Sequence, residues 1–511
     1  MLSQVDLGPA EPCPTPFNMA AHVLAPAAQS PSRIALQILR PDGAERWSYA
    51  RLEAAVRATG GGLLEAGLAP GDRVLMRLGS TVDFPIAYLG CIAAGLVPVP
   101  TAAGLTAPEV TRLAALIEPR LILQDPDLAL PEPSERWPVM ALAQLRALRD
   151  GAPCAWHMGT PDRLAYIIFT SGSSGTPRAV MHAHRAIWAR RMMWQGWYGF
   201  APGDRLMHAG AFNWTYTLGT GLMDPWAAGL TALIPDSGVT PGQLPLLMRR
   251  FDTTIFAAAA GVYRQILKHH DTLDLPHLRH GLSAGEKLPE PTARAWQAAT
   301  GRPVFEALGM SECSTFISAS PDHPAPHGSS GYAQAGRRIA VLGADGTPVA
   351  RGTPGTLAVH ADDPGLFLGY FGAPEATAAK FHGEWFLTGD TVTMNADGAI
   401  TYLGRDDDMM NAGGFRVSPL EVEAVFDRHP QITECAACEV GIRRDASVIA
   451  LFYVGSDTLD EAELSAHGAR HLARYKQPRL FHRVSALPRQ GNGKLQRRAL
   501  REEWEANHGP A

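Results

Sequence analysis

Short apolar runs alternating with segments of helical spacing constrain this chain more than any other feature. From residue 46 to 100 the order reads strand, helix, strand, helix, strand. WSYARLEAAVRATGGGLLEAGL sets apolar residues at helical spacing and closes on glycine, and DRVLMRL is a compact strand. The run Phe84 to Leu105, FPIAYLGCIAAGLVPVPTAAGL, is long and apolar, but Pro98 and Pro100 cut it short of the ~20 helical residues a membrane span needs. It reads as a buried helix, a turn at Gly95 and a short strand. RLILQD near 120, LAYIIFT near 163, RLMHAG, TALI, TTIFAAAA, HGLSAG and PVFEALG continue the pattern. Such alternation predicts an α/β fold with doubly wound sheets.

After about residue 320 the texture changes. IAVLGADGTPVARGTPGTLAVH and EWFLTGDTVTMNADGAITYLGR each read as two strands around a turn, giving a small β-barrel-like part. Past Arg405 a fresh α+β pattern begins: SPLEVEAVFDRHP is a proline-initiated helix, ITECAACEV and SVIALFYV are strands, and ELSAHGARHLARYKQP is a helix. We expect a large domain over 1–403 and a small mobile one over 404–511. The charged stretch Arg405, Asp406, Asp407, Asp408 joins them, and its acids read as solvated charge without a metal.

A chain of 511 residues, 46% hydrophobic, can bury large cores. Its net charge of −5 and scattered Lys and Arg leave no basic face for nucleic acid. Six cysteines do not make a disulfide framework, and Cys435 and Cys438 read as small apolar residues of a half-buried strand. The N-terminus carries an acid and prolines and lacks a secretory pattern, so a cytoplasmic setting is expected. The sequence leaves a homodimer open.

YIIFTSGSSGTPRAV, Tyr166 to Val180, drops from an apolar run into small hydroxylated residues. Glycines expose backbone N–H groups, hydroxyls add short donors, and such a concavity favours phosphate oxygens. The loop is not a Walker loop, and Arg178 holds the nearest cationic position. His182 and His184 in MHAH have no acidic or cysteine neighbours in sequence and read as helix-start residues.

The loop resembles the signature of the adenylate-forming superfamily, which includes acyl-CoA synthetases, peptide-synthetase adenylation domains and luciferases. Arg178 stands where that signature has lysine, and Ala179 where it has glycine. SAGEKLP, ALGMSE, WFLTGD, YLGRDDDMMNAGGFRVSPLEVE and PRQGNGKLQRRAL follow in the family's order. The variants look most like the benzoate–CoA ligase branch. The resemblance implies an ATP- and Mg²⁺-dependent acid–CoA ligase that forms an acyl-adenylate and then a thioester. The acid would be aryl or short-to-medium-chain. A stand-alone adenylation enzyme loading a carrier-protein phosphopantetheine is the alternative, and a non-catalytic nucleotide-binding relative is a third reading.

It also implies roles. Thr170, Ser171, Gly172, Ser173, Ser174, Gly175 and Thr176 would clamp the phosphates. Ser283, Ala284, Gly285 and Glu286 would lie along adenine, with Leu308, where an aromatic residue usually stacks, and Gly309, Met310 and Ser311. Glu312 would hold Mg²⁺, Asp390 the ribose, and Arg405 and Lys494 would act with Glu312 in catalysis. Asp407 would be the hinge, and Gly413 and Gly414 would meet the CoA pantetheine, where Asn411 replaces a common lysine. Phe212, Asn213, Trp214, Tyr216, Ala284, Gly309 and Met310 would line the acyl pocket. The uncharged Asn213 argues against an α-amino acid, and Trp214 and Tyr216 against long fatty chains.

Overall fold

The computed structural model describes residues 1–170, 177–406, 408–412, 415–443, 446–457, 459–489 and 495–508. Among them the largest sheet has nine strands. Six neighbours run parallel, in the spatial order Val304–Met310, His280–Ala284, Ile255–Ala258, Arg205–His208, Thr231–Pro235 and Ile34–Leu39. Helices Leu244–Arg250, Ala260–Leu267 and Glu290–Thr300 connect successive members. A second, four-stranded parallel sheet holds Val97–Pro100, Arg73–Arg77, Leu121–Gln124 and Val139–Ala141. The fold is α/β and doubly wound.

The apolar run is resolved as its prolines imply. Helix Asp83–Ala93 is buried on all sides, Gly95 turns the chain at φ +80°, and the strand Val97–Pro100 follows. Only glycine takes that backbone at no steric cost. Among the described residues no helix is long and apolar enough to cross a membrane.

LAYIIFT departs from the parallel pattern. Strand Leu164–Thr170 pairs antiparallel with Arg178–Ala183, which in turn pairs with Gly369–Tyr370. Thr170 stands opposite Arg178, so the connection is a hairpin; a parallel crossover needs about a dozen residues or more. A six-stranded antiparallel sheet follows, built on Arg338–Leu342, Gly355–His360, Trp385–Met394 and Ile400–Arg405, with Gln4–Asp6 on one edge.

Beyond it, Ser418 accepts the N–H of Glu421 and starts helix Pro419–Phe426. Strands Ile432–Arg443 and Ala446–Gly455 pair antiparallel, and Leu480–Arg483 lies parallel to the second. Cys435 and Cys438 are buried in different clusters on opposite faces of their strand, which suits apolar packing and not a shared ligand. The helix expected to run to Pro478 stops at His471, because Leu472 is extended and a single 3-10 turn, Arg474–Lys476, precedes Gln477. The acids near Arg405 are also not simply solvated. Asp406 accepts hydroxyls from Thr356 and Thr391, and Asp408 lies 3.8 Å from Arg497.

Asp427 yields a stability prediction. Burial, with Glu423 and Glu434 nearby, pushes its carboxyl up to about 6 from 3.8, against a hydrogen bond from Cys435. Protonation therefore favours the folded state, and ionisation costs stability as pH rises from about 4 to 6. Asp427→Asn is expected to stabilise the chain by at most about 3 kcal/mol above pH 6, and by nothing below pH 4. Urea midpoints of both proteins at several pH values check this; a gain independent of pH would contradict it.

Candidate active site

The strand ends of the parallel sheet and the two hairpins beside it gather most of the expected residues. Thr170 ends its strand opposite Arg178; Ser171, Gly172, Ser173, Ser174, Gly175 and Thr176 lie outside the described residues, as do Asp407, Gly413, Gly414 and Lys494. Arg178 does not simply replace a lysine. Its guanidinium carbon lies 5.1 Å from the centroid of the Tyr370 ring, and the Tyr370 hydroxyl donates to Glu312 Oε1 at 2.7 Å. Burial, the Glu312 charge and that hydrogen bond raise the Tyr370 phenol, with Arg178 opposing, so the phenol stays a donor.

Glu312 sits almost wholly enclosed on the turn between Val304–Met310 and Ser314–Ser318. Several distant groups hold that turn. His182 stacks on Tyr166 at 4.9 Å and its Nε2 donates to the Ser311 carbonyl at 2.7 Å. The Phe367 N–H donates to the Glu312 carbonyl at 2.8 Å. Arg190 donates to the Ser314 hydroxyl and pairs with buried Asp224, its Nε 2.9 and 3.0 Å from the two carboxylate oxygens. Of the two histidines in MHAH, His184 stands at the start of helix Arg185–Ala189 without capping it, its Nδ1 instead accepting the Met19 N–H at 3.0 Å, while His182 buttresses this turn.

Gly309 owes its identity to the same turn. Between Leu308 and Gly309 the ladder shifts register, and a Cβ at Gly309 would lie 2.5 Å from the Ser314 carbonyl oxygen and 2.7 Å from Thr315 Cα. Gly309→Ala is expected to cost about 1–3 kcal/mol and lower kcat/KM about tenfold through displaced Glu312. Steady-state kinetics beside a denaturation midpoint checks this, and unchanged values would show that the strands yield freely. Leu308 and Met310 pack on the core of the antiparallel sheet with Tyr370 and Phe316.

Asp390 and Arg405 face one another across a strand pair, 3.2 Å apart, and Arg405 also donates to the Thr388 carbonyl. Lys380, absent from the sequence reading, lies among these charges. It follows helix Pro374–Ala378, and its carbonyl accepts the Leu387 N–H at 2.7 Å. Burial and the nearby Arg405 and Arg178 lower its ammonium, while Glu312 and Asp390 raise it. Its pattern signal in the sequence is nil, because its charged neighbours lie on three strands and a separate turn.

At the neighbouring strand end, Ser283 and Ala284 close strand His280–Ala284, and Gly285 turns at φ +93°. Ser283 is fully buried and, among the described residues, its hydroxyl has no partner. Glu286 accepts the Gly261 N–H at 3.1 Å and pairs with Arg489 at 3.3 Å; Arg489 also meets Glu434 at 3.0 Å. Arg489 bridges antiparallel to Leu495. Of the acyl-pocket candidates, Tyr216 shares a cluster with Ala284 and Ala307. Trp214 meets Tyr216 edge to face at 5.1 Å, and Asn213 is half-buried next to it. Phe212 instead is enclosed in the large core with Leu218 and Leu222.

Mg²⁺ takes oxygen ligands, commonly one or two carboxylates with substrate phosphates and water. One hydrogen-bonded carboxylate, Glu312, linked through Tyr370 to Arg178 at the start of its strand, suits that need. Among the described residues no cluster of three His, Cys, Asp or Glu forms an all-protein cage.

Comparison with known proteins shows the family. The AMP-binding enzyme family model matches residues 24–371, and the AMP-binding enzyme C-terminal domain model matches 421–494. The benzoate–CoA ligase of Thauera aromatica is 31% identical over 495 residues, covering 90% of this chain and 91% of that protein. The crystal structure of ATP-bound MatB from Rhodopseudomonas palustris superposes with a TM-score of 0.88 at 26% identity, covering 97% of this chain and all of the other. A benzoate CoA ligase from Burkholderia xenovorans LB400 gives 0.84 at 25% identity over 95% of this chain and 100% of its own. On the sequence motifs, the fold and these matches together, the chain belongs to the AMP-binding enzyme family.

Proposed function

We propose that the chain is an ATP-dependent acid–CoA ligase that activates an aryl or short-to-medium-chain carboxylic acid. The observation that carries the reading is the convergence of Glu312, Tyr370, Arg178, Lys380, Asp390 and Arg405 beside the hairpin that carries TSGSSGT. In the first step the acid's carboxylate attacks the α-phosphate of ATP, forming a mixed anhydride and releasing pyrophosphate. Two anions must meet while charge builds on phosphoryl oxygens, so positioning and cations do most of the work.

Thr170 and the hydroxyls of Ser171, Ser173, Ser174 and Thr176 clamp the phosphates. Arg178 and Lys380 add positive charge near them, and Asp390, oriented by Arg405, takes the ribose hydroxyls. Lys494 bridges the carboxylate and the α-phosphate. Glu312, kept in place by Tyr370, is the carboxylate for Mg²⁺, which when bound neutralises charge on the departing pyrophosphate. In the second step the CoA thiol attacks the acyl carbon and AMP leaves. The small unit over 404–511 turns about Asp407, withdrawing Lys494 and presenting Gly413 and Gly414 to the pantetheine.

Aryl and straight-chain acids assayed for pyrophosphate exchange and thioester, with and without CoA, test this. Exchange with AMP release stimulated by CoA is expected. Exchange without any CoA thioester, but with transfer to a phosphopantetheinyl carrier, would move the assignment to carrier loading.

A further inference from the structure

The aromatic wall at the end of strand Arg205–His208 contains polar atoms that nothing in the proposed chemistry uses. His208 is fully buried. Its ring meets Tyr216 edge to face at 4.4 Å and Trp214 at 5.9 Å, and Tyr216 stacks on Trp197 at 6.2 Å. The strand end is where open α/β sheets place their ligands.

The imidazole's protonation pattern is fixed by its neighbours. The Gly210 N–H donates to Nδ1 at 2.9 Å, and the Thr217 hydroxyl lies 3.1 Å from the same nitrogen. A nitrogen that accepts a backbone N–H carries no proton. Burial lowers the His208 imidazole to about 3, so near neutral pH the ring is uncharged and its one proton is on Nε2. Among the described residues that Nε2–H has no acceptor, and the buried Tyr216 hydroxyl oxygen has no partner either. A buried donor left unpaired is costly, and such groups in native proteins are nearly always met by a partner.

Resting on the acid–CoA ligase reading, we infer that His208, with Tyr216, recognises an oxygen substituent on the ring of an aryl acid, a hydroxyl or carbonyl, and thereby selects it over the unsubstituted acid. The Nε2–H donates to the substituent oxygen, and the Tyr216 hydroxyl can either donate to the same oxygen or accept from its proton. Apolar packing by Trp214 and Trp197 sets the plane of the ring. A site built to hydrogen-bond a substrate hydroxyl rejects the analogue without one far better than an apolar pocket separates shapes.

The test compares benzoate with each hydroxybenzoate and with the methylbenzoate of the same substitution, using the full chain with ATP, Mg²⁺ and CoA. One hydroxybenzoate is expected to exceed both benzoate and its methyl counterpart in kcat/KM by about 100-fold or more. His208→Phe and Tyr216→Phe should each narrow that ratio by about tenfold or more. Equal turnover of hydroxy-, methyl- and unsubstituted acids by the wild type would overturn the inference while leaving the ligase reading intact. So would variants that slow every aryl acid by the same factor. No thioester from any aryl acid would instead overturn the aryl part of the ligase reading, and the inference with it. Equal wild-type turnover overturns the inference without any variant, and Tyr216→Phe tests the pair even if His208→Phe fails to fold.

Discussion

Replacing Lys494 by alanine is expected to lower carboxylate-dependent pyrophosphate exchange by about 10²–10³-fold, the usual loss when one preorganised charge-stabilising donor is removed. Thioester formation from supplied acyl-adenylate and CoA should stay within about threefold of wild type. The asymmetry follows from the charges. In the first step a carboxylate must approach a phosphate, and a cation between them removes their repulsion; in the second a thiol meets an acyl carbon, with no such pair to bridge. The flanking residues Arg489 and Leu495 bridge one another, and Arg489 pairs with Glu286 on the turn after strand His280–Ala284. Rapid-quench assays of the separate half-reactions would decide. Equal loss in both would contradict the withdrawal of Lys494 between steps.

Asp224→Ala is expected to destabilise the protein by about 3–5 kcal/mol, the range for removing one partner of a buried ion pair. Asp224 is almost fully buried, accepts from Arg190 Nε and takes the Tyr198 hydroxyl at 2.6 Å. Burial alone would lower the Arg190 guanidinium, but the Asp224 carboxylate overrides it and holds the charge firmly on. Without Asp224 that charge stays buried and uncompensated. Activity should fall with stability, because Arg190 also reaches Ser314, two residues from Glu312. The urea midpoint, with its slope unchanged, measures the loss. A shift worth less than about 0.5 kcal/mol, ordinary for a surface change, would mean that water or relaxation replaces the carboxylate.

Local rules made much of this legible. The 83–100 run is readable because proline and a positive-φ glycine punctuate it, and the hairpins after residue 330 because D-G and similar turns mark them. The motifs placed Glu312, Asp390 and Arg405 near one another because short signatures encode loop chemistry. What could not be read is what grips those loops. Tyr370 is 58 residues from Glu312, and His182 is 129 residues from Ser311. Such partners are chosen by topology, and single-residue patterns carry no trace of them. The same holds for LAYIIFT: its composition suits either sheet, and only the short connection to Arg178 dictates antiparallel pairing.

Glu286 offers a last consequence. One of its oxygens secures the Gly261 N–H at the start of helix Ala260–Leu267, and the other holds Arg489 near the segment bearing Lys494. In the proposed cycle the first contact persists while the second must open once per turnover, so the carboxylate behaves as a clutch. Too firm a grip would stall the enzyme after adenylation, and too loose a grip would release Lys494 before it. Since both side chains remain partly exposed, dissolved ions screen this pair, and under the proposed cycle the balance between the half-reactions should then vary with ionic strength.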